Sequence, residues 1–206
     1  MAFECREKIK VINQNQFHEI DYLVMGQVYE IHNELGRFCN EDIYQTQLSI
    51  LCKNIGLKVE KEIPIHIIYK NFRKTYFLDL VVENSIIYEL KTVEKLNEFH
   101  QNQLINYLLL TNVRHGKLIN FTPLSVEYKF VSTSLDFQSR KRFSINNKNF
   151  EDRDSESAML LNILTELLNN WGVFLDINLY NEALVFFLGG SEKVIHSVDI
   201  YVDKKR

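Results

Sequence analysis

Apolar residues recur at steps of three and four in two segments near the start of the chain. The first segment, residues 18–35, predicts an amphipathic helix that ends at Gly36, since glycine readily adopts the backbone conformation of a helix C-terminus. The second segment follows Asn40, a good N-terminal cap, and stops before Gly56. The chain is therefore expected to open with two helices that each bury one face.

The next part of the chain is rich in β-branched and aromatic residues, which favour strands. Residues 57–82 contain two such runs, and Pro64 in the first run predicts an edge position or a bulge, because proline cannot donate to a ladder. Residues 77–92 predict a hairpin with a tight turn at 83–85. A three-stranded antiparallel meander is expected here.

A third helical pattern follows the hairpin. It covers residues 94–111, and after Gly116 a short apolar run at 118–121 predicts another strand. A strand, a helix and a strand of these lengths imply a right-handed crossover with parallel pairing. The predicted fold class is α/β with a mixed sheet, and the predicted core order is α-α-β-β-β-α-β.

The last third of the chain begins with a polar stretch. It then predicts a helix at 156–171 capped by Ser155, a helix at 176–188, and a strand-like segment at 194–202. This part offers too few apolar residues for a core of its own. We expect residues 1–131 to form the core and residues 132–206 to form an extension that packs on it.

Three charged residues interrupt the apolar hairpin. If the turn pairs Val82 with Ile86, Asp79 lies across from Glu89 with Cβ atoms roughly 5 Å apart, and Lys91 points to the same face. Two carboxylates held this close repel each other unless a proton or a cation lies between them, and oxygen ligands suit Mg²⁺ or Mn²⁺. The alternative is a solvated ion pair of Glu89 with Lys91.

Two helices could bring further polar side chains to the hairpin. Glu41 lies on the first turn of the second helix, where its ordinary role is to interact with the helix dipole. His100, Gln103 and Tyr107 form one polar stripe on the third helix. Such a stripe is usually exposed to solvent, but this helix begins just after the charged strand, so the stripe could instead close one wall of a site.

Composition and charge narrow the possible functions. The chain has 206 residues, 46% of them hydrophobic, and a formal net charge of -3, so no overall positive field indicates nucleic-acid binding. The three cysteines are odd in number and lack metal-like spacing, as expected for reduced thiols. We find no signal peptide and no apolar run long enough to span a membrane, and a cytoplasmic location is expected.

Five segments share an order and spacing that together are specific: EIHNELG at 30–36, NEDIYQ at 40–45, LDLVVENSIIYELKTVEKL at 78–96, HQNQLINYL at 100–108 and GKLINF at 116–121. Taken together, they resemble the GxxExxY proteins of the PD-(D/E)xK nuclease superfamily, over roughly residues 22–130. Two positions depart from the pattern of that group. The glycine three residues before the Glu of GxxExxY is Phe38 here, although the preceding Gly36 is kept, and the proline of the PD signature is Leu78.

The resemblance implies a restriction-endonuclease-like α-β-β-β-α-β core with a mainly helical C-terminal extension, and a divalent metal site. Asp79 and Glu89 would bind Mg²⁺ or Mn²⁺, with the backbone carbonyl of Leu90. Glu41 would be a further ligand or would reach the metal through a water molecule. Lys91 would orient the attacking water or help to deprotonate it.

The resemblance also implies that Gln103 and Tyr107 correspond to the QxxxY motif of RecB-like exonucleases, which supports the site and contacts DNA. The expected function is metal-dependent hydrolysis of phosphodiester bonds, and DNA is the expected substrate. One alternative is an inactive nucleic-acid-binding or regulatory module that keeps the fold. Another is a partner in a larger complex or a homodimer, with residues 156–202 as the interface.

Overall fold

A single six-stranded mixed sheet organises the computed structural model, which describes residues 3–5, 9–151 and 154–195. All neighbouring strands are antiparallel except β4 and β5, which are parallel. In sheet order the strands are β1 (Phe3–Cys5), β2 (Val59–Tyr69), β3 (Phe72–Val82), β4 (Ile86–Lys91), β5 (His115–Asn120) and β6 (Glu127–Ser132). The helices are α1 (Gln14–Leu35), α2 (Glu41–Asn54), α3 (Glu98–Thr111), α4 (Phe137–Arg140), α5 (Ser155–Trp171), α6 (Ile177–Phe187) and α7 (Ser191–Val194). No helix in the described ranges combines the length and the apolarity that crossing a membrane requires.

Both predicted opening helices are present, although the first begins earlier than expected. α1 starts at Gln14 because Asn13 and Gln16 form a capping box, in which each side chain accepts the backbone N–H of the other residue. It ends at Gly36, as predicted, with a φ of 69°. Asn40 stands at the N-terminal cap position of α2, but its side chain makes no capping hydrogen bond.

The hairpin between β3 and β4 has the predicted register. Val82 pairs with Ile86, and the ladder continues to the pair of Leu80 with Tyr88. Asn84 in the turn has a φ of 51°, a left-handed conformation that asparagine adopts more readily than most residues. The turn therefore brings the two charged strand segments toward each other.

The predicted parallel pairing of β5 with β4, across α3, is confirmed. α3 begins at Glu98 rather than 94, because Asn97 and His100 form a second capping box. Gly116 does not separate α3 from β5, as the sequence suggested, but lies within the strand. A Cβ atom there would come within 2.9 Å of the Ile87 carbonyl oxygen and 3.1 Å of Leu104 Cδ1. Glycine thus allows α3 to pack closely on the sheet.

Two strands were missing from the predicted core order. β1 has only three residues, too few for strand alternation to be recognised, and it pairs with β2 over 65–67. β6 follows a short loop and pairs with β5. Both lie at the edges of the sheet, so the predicted mixed α/β core is confirmed with one strand added on each side.

The sheet changes faces at Glu62 of β2, where the charged residues begin. Glu62 has a φ of 50° and is left out of the pairing, as is Asp79 opposite it, while the residues on either side of Glu62 pair with Leu80 and Leu78 in an unbroken register. Leu78 packs in the hydrophobic cluster under α3, whereas Leu80 packs in the cluster under α1 and α2. Asp79 therefore sits where the two faces exchange. The prediction of an edge position or a bulge at Pro64 is wrong, because β2 lies between β1 and β3 and Pro64 pairs with Phe77 without any extra residue.

The C-terminal helices cover the same face of the sheet as α3. Trp171 of α5 and Leu179 of α6 are fully buried. They belong to one hydrophobic cluster with Leu108 of α3 and Leu118 of β5. α1 and α2 cover the opposite face. The extension therefore shares its apolar interior with the core.

Two details of the extension differ from the sequence prediction. The cap of α5 is Asp154 rather than Ser155, because Asp154 accepts the backbone N–H of Ser157 at 2.7 Å. The predicted strand at 194–202 begins at Val194, which instead ends the short helix α7. The rest of that prediction, from residue 196, and the basic C-terminus lie outside the described residues.

Candidate active site

The two hairpin carboxylates lie just beyond the last paired residues of β3 and β4. The ladder stops at Leu80 and Tyr88, so Asp79 and Glu89 are the next residues on the two strands. The Leu90 N–H donates to Asp79 Oδ2 at 2.8 Å. A carboxylate thus takes the bond that a main-chain carbonyl would accept in a continued ladder, which fixes the Asp79 side chain beside β4.

Glu89 has one satisfied and one unsatisfied oxygen. Its Oε1 accepts a hydrogen bond from Lys91 Nζ at 2.7 Å. Its Oε2 is buried and has no hydrogen-bond partner, although the residue is only 1% exposed. Burying a carboxylate oxygen without a partner costs free energy of folding, and a bound proton or cation would remove that cost.

The pKa values of Asp79, Glu89 and Lys91 are all shifted by burial and by the charges of their neighbours. Burial raises the pKa of Glu89 to about 8, and the Asp79 carboxylate adds to that rise. Burial also raises the pKa of Asp79 to about 6, against the opposing effect of the Leu90 N–H. Burial lowers the pKa of Lys91, but the surrounding carboxylates outweigh it and the net shift is upward. One ammonium group does not balance the carboxylates around it.

Glu41 of α2 lies close to Lys91, and so to the carboxylates of Asp79 and Glu89. Its Oε1 lies 4.0 Å from Lys91 Nζ, and its side chain is 40% exposed, against 2% for Glu89. No group of three or more His, Cys, Asp or Glu side chains in the described ranges is arranged to hold a metal ion. The carboxylates that could bind one directly are Asp79 and Glu89, and Glu41 stands further out.

The loop before Glu41, which carries Phe38, is held in place by Tyr44. The Tyr44 hydroxyl donates to the Gly36 carbonyl at 2.8 Å and accepts the Cys39 N–H at 3.2 Å. The Phe38 side chain points outward and is 84% exposed, so it does not compete for this space. Tyr44 therefore fixes the loop that leads into α2.

The stripe on α3 faces the site rather than solvent. Gln103 Nε2 donates to the Tyr107 hydroxyl at 3.0 Å, and Tyr107 is buried. Burial raises the pKa of Tyr107 to about 12, and the site carboxylates contribute to the rise. Burial and the charge of Lys91 lower the pKa of His100. The His100 ring accepts a hydrogen bond at Nδ1 from the backbone N–H of Asn97, the cap of α3. The structure thus brings the predicted stripe and the hairpin together.

Gln45 of α2 also contacts the site, although no role was predicted for it. Gln45 Nε2 donates to the main-chain carbonyl of Asp79 at 2.9 Å, and Gln45 is buried. It stands four residues after Glu41, on the same face of α2. That spacing is the signal that could have placed Gln45 at the site.

The residues present fit a divalent cation. Asp79 and Glu89 provide hard oxygen ligands, which Mg²⁺ and Mn²⁺ prefer, and no nitrogen or sulfur ligand is needed. The buried, unpartnered Glu89 Oε2 supplies a free lone pair beside the Asp79 carboxylate. The ammonium of Lys91 remains next to this position.

A mixed sheet between two layers of helices, with two carboxylates and a lysine where a hairpin ladder ends, defines a restriction-endonuclease-like fold. Comparison with family models places residues 18–131 in the PD-(D/E)XK nuclease superfamily, and the chain belongs to that superfamily. Among solved structures, one titled "Crystal structure of SSO0001" shows 25% identity, covering 59% of this chain and 61% of that chain, with a TM-score of 0.36. The fold assignment rests on the family match and the architecture, not on that partial likeness.

Proposed function

We propose that this protein is a nuclease that hydrolyses phosphodiester bonds of DNA with Mg²⁺ or Mn²⁺, and that it is a GxxExxY-type member of its superfamily. The observation that carries this proposal is the buried Glu89 Oε2, which has no partner and lies beside a second carboxylate and an ammonium. A site with this charge distribution is suited to a cation and a phosphate together. A purely structural ion pair would leave no oxygen unsatisfied.

Asp79 and Glu89 would hold the ion, together with the Leu90 carbonyl, and Glu41 would act through a water molecule. When bound, a divalent ion lowers the pKa of a coordinated water and offsets negative charge on the phosphate. The Leu90 N–H keeps the Asp79 carboxylate in one orientation. Gln45 anchors the backbone of the same residue.

Lys91 and the α3 stripe would position the reacting groups. Lys91 Nζ, which donates to Glu89 Oε1 at 2.7 Å, would donate hydrogen bonds to the attacking water or a phosphate oxygen. The Gln103 and Tyr107 pair would form the wall against which the DNA strand lies. The supporting observation is the effect of the site carboxylates on the pKa of Tyr107.

Cleavage of labelled single-stranded and double-stranded DNA in Mg²⁺, Mn²⁺ or EDTA tests this function. Wild-type protein should cut in either metal and not in EDTA. Lys91→Met, purified in parallel, should be slower by roughly 10²-fold because the positioned donor is lost. Cleavage that is independent of metal, or equally fast in the two proteins, would contradict the proposed site. Salt-sensitive DNA binding without cleavage in any metal would instead indicate an inactive binding module.

A further inference from the structure

A cavity of about 440 Å³ lies beside the candidate active site, between α3 and residues 174–178, which are the end of the α5–α6 connection and the start of α6. Its wall includes Gln103 and Tyr107, the same pair that faces the hairpin carboxylates. We propose that this cavity binds one unpaired nucleobase of the strand whose phosphate lies at Asp79 and Glu89. The proposal rests on the proposed function and adds the substrate class, which is single-stranded or frayed nucleic acid.

The mouth of the cavity carries large apolar side chains that nothing in the described part of the chain covers. Phe99 on α3 is 68% exposed, Phe174 in the connecting segment is 65% exposed, and Ile177 at the start of α6 is 66% exposed. Holding three such side chains in water is unfavourable unless they meet a ligand. Aromatic rings around an opening of this size are suited to stacking on a flat base.

The charges around the cavity favour a neutral ring over a phosphate. No lysine or arginine is among the residues that line it, and Asp176 contributes a carboxylate. Phosphate groups would be repelled by that carboxylate and would find no cation there. The amides of Asn102 and Asn178 can instead form hydrogen bonds with the edge of a base, since each offers both donor and acceptor atoms.

The cavity is held in shape before any ligand arrives. Asn106 on α3 accepts the backbone N–H of Asp176 at 3.0 Å, which ties the connecting segment to the helix. Phe174 has a φ of 68°, a left-handed conformation that is uncommon for an aromatic residue. On the inner side, the rings of Tyr76 and Tyr107 lie 5.9 Å apart. A preformed opening loses little ordering entropy when a base enters.

Continuity with the active site determines which molecule the cavity would take. The charges of Asp79 and Glu89 raise the pKa of Tyr107, and the same tyrosine lines the cavity. A nucleic-acid strand that places a phosphate at the carboxylates therefore has a neighbouring base within reach of Phe99 and Phe174. A base that is stacked and paired inside a duplex cannot enter, so the strand must be unpaired at that position.

Binding measured in Ca²⁺, a hard cation that carboxylate oxygens also bind, tests the proposal without requiring cleavage, with the strand checked for intactness afterwards. Fluorescence anisotropy of a short labelled single strand should give a Kd that is roughly 5- to 100-fold weaker for Phe174→Ala than for wild type, the range expected for loss of one stacked base. Tyr22→Ala is the matched control, because Tyr22 is 80% exposed on α1, which covers the opposite face of the sheet. Tyr22→Ala should bind like wild type.

A single abasic position moved along the strand identifies the base. One position should weaken wild-type binding as much as Phe174→Ala does, and the two changes together should cost no more than either alone. Equal affinities of Phe174→Ala and Tyr22→Ala, or fully additive effects at every abasic position, would overturn the proposal. Base-dependent binding with no cleavage in any metal would support the cavity and contradict the proposed nuclease activity.

Discussion

Replacement of Asp79 by asparagine should lower the rate of metal-dependent DNA cleavage by roughly 10³-fold or more, since a bound divalent ion contributes several kcal/mol to such reactions. Asparagine has nearly the same shape and can still accept the Leu90 N–H through its side-chain oxygen. The fold should therefore persist while the site loses one negative charge. The measurement is kcat/KM in Mn²⁺, with Mn²⁺ affinity determined separately by calorimetry.

Asp42→Asn is the matched control for this substitution. Asp42 is exposed on the first turn of α2, next to Glu41 in sequence but outside the carboxylate cluster. It should keep wild-type cleavage and wild-type Mn²⁺ affinity. If Asp79→Asn bound Mn²⁺ as tightly as Asp42→Asn and cleaved as fast, the hairpin carboxylates would not be the metal ligands.

Glu89→Gln should make the metal-free protein more stable at alkaline pH. In the folded protein, Asp79, Glu89 and Glu41 face the single ammonium of Lys91, so neutralising one buried carboxylate relieves repulsion. We expect the melting temperature in EDTA at about pH 8.5 to exceed that of wild type by roughly 5 °C. Added Mn²⁺ should stabilise wild type but not Glu89→Gln.

The direction of the pH dependence follows from the raised pKa of Glu89. The pKa of Glu89 is raised to about 8 in the folded protein and has its ordinary value of 4.5 in the unfolded chain, so the folded state binds more protons between these two pH values. The stability of wild type in EDTA should therefore fall as pH rises through this window. Glu89→Gln should show a smaller fall.

Glu166→Gln is the control with the opposite sign. Hydrogen bonds from Lys70 and Tyr69 lower the pKa of Glu166, which lies exposed on α5. Removing that charge should leave the melting temperature unchanged or slightly lower. Two results would contradict this account: a stability of wild type in EDTA that does not change with pH, or a Glu89→Gln variant less stable than wild type. Either would mean that the Glu89 carboxylate is stable in its charged form without a metal ion.

The hairpin register could be predicted from the sequence because it depends on local chemistry. A short polar turn between two apolar runs allows few pairings, and alternation then decides which residues face each other. The pairing of Val82 with Ile86 follows from this, as does the approach of Asp79 to Glu89. The parallel crossover was predictable for a similar reason, since its handedness and length are tightly restricted.

The parts that were missed depend on contacts between distant segments. The left-handed Glu62 and the change of face between Leu78 and Leu80 arise from pairing across the whole of β2 and β3, which no local pattern shows. Gly116 looked like a loop residue because the close approach of α3 is not visible in the sequence. The cavity near Phe174 needs both α3 and the extension.

The most direct test of the central claim is a crystal structure of the wild-type protein grown with Mn²⁺, with the ion located by its anomalous scattering. We expect one peak between the Asp79 and Glu89 carboxylates, within about 2.2 Å of an oxygen of each, with Glu89 Oε2 as a ligand. The same map should show no ion in a crystal of Asp79→Asn. A wild-type map without a peak, in which Glu89 is bonded only to Lys91, would contradict the metal-dependent site.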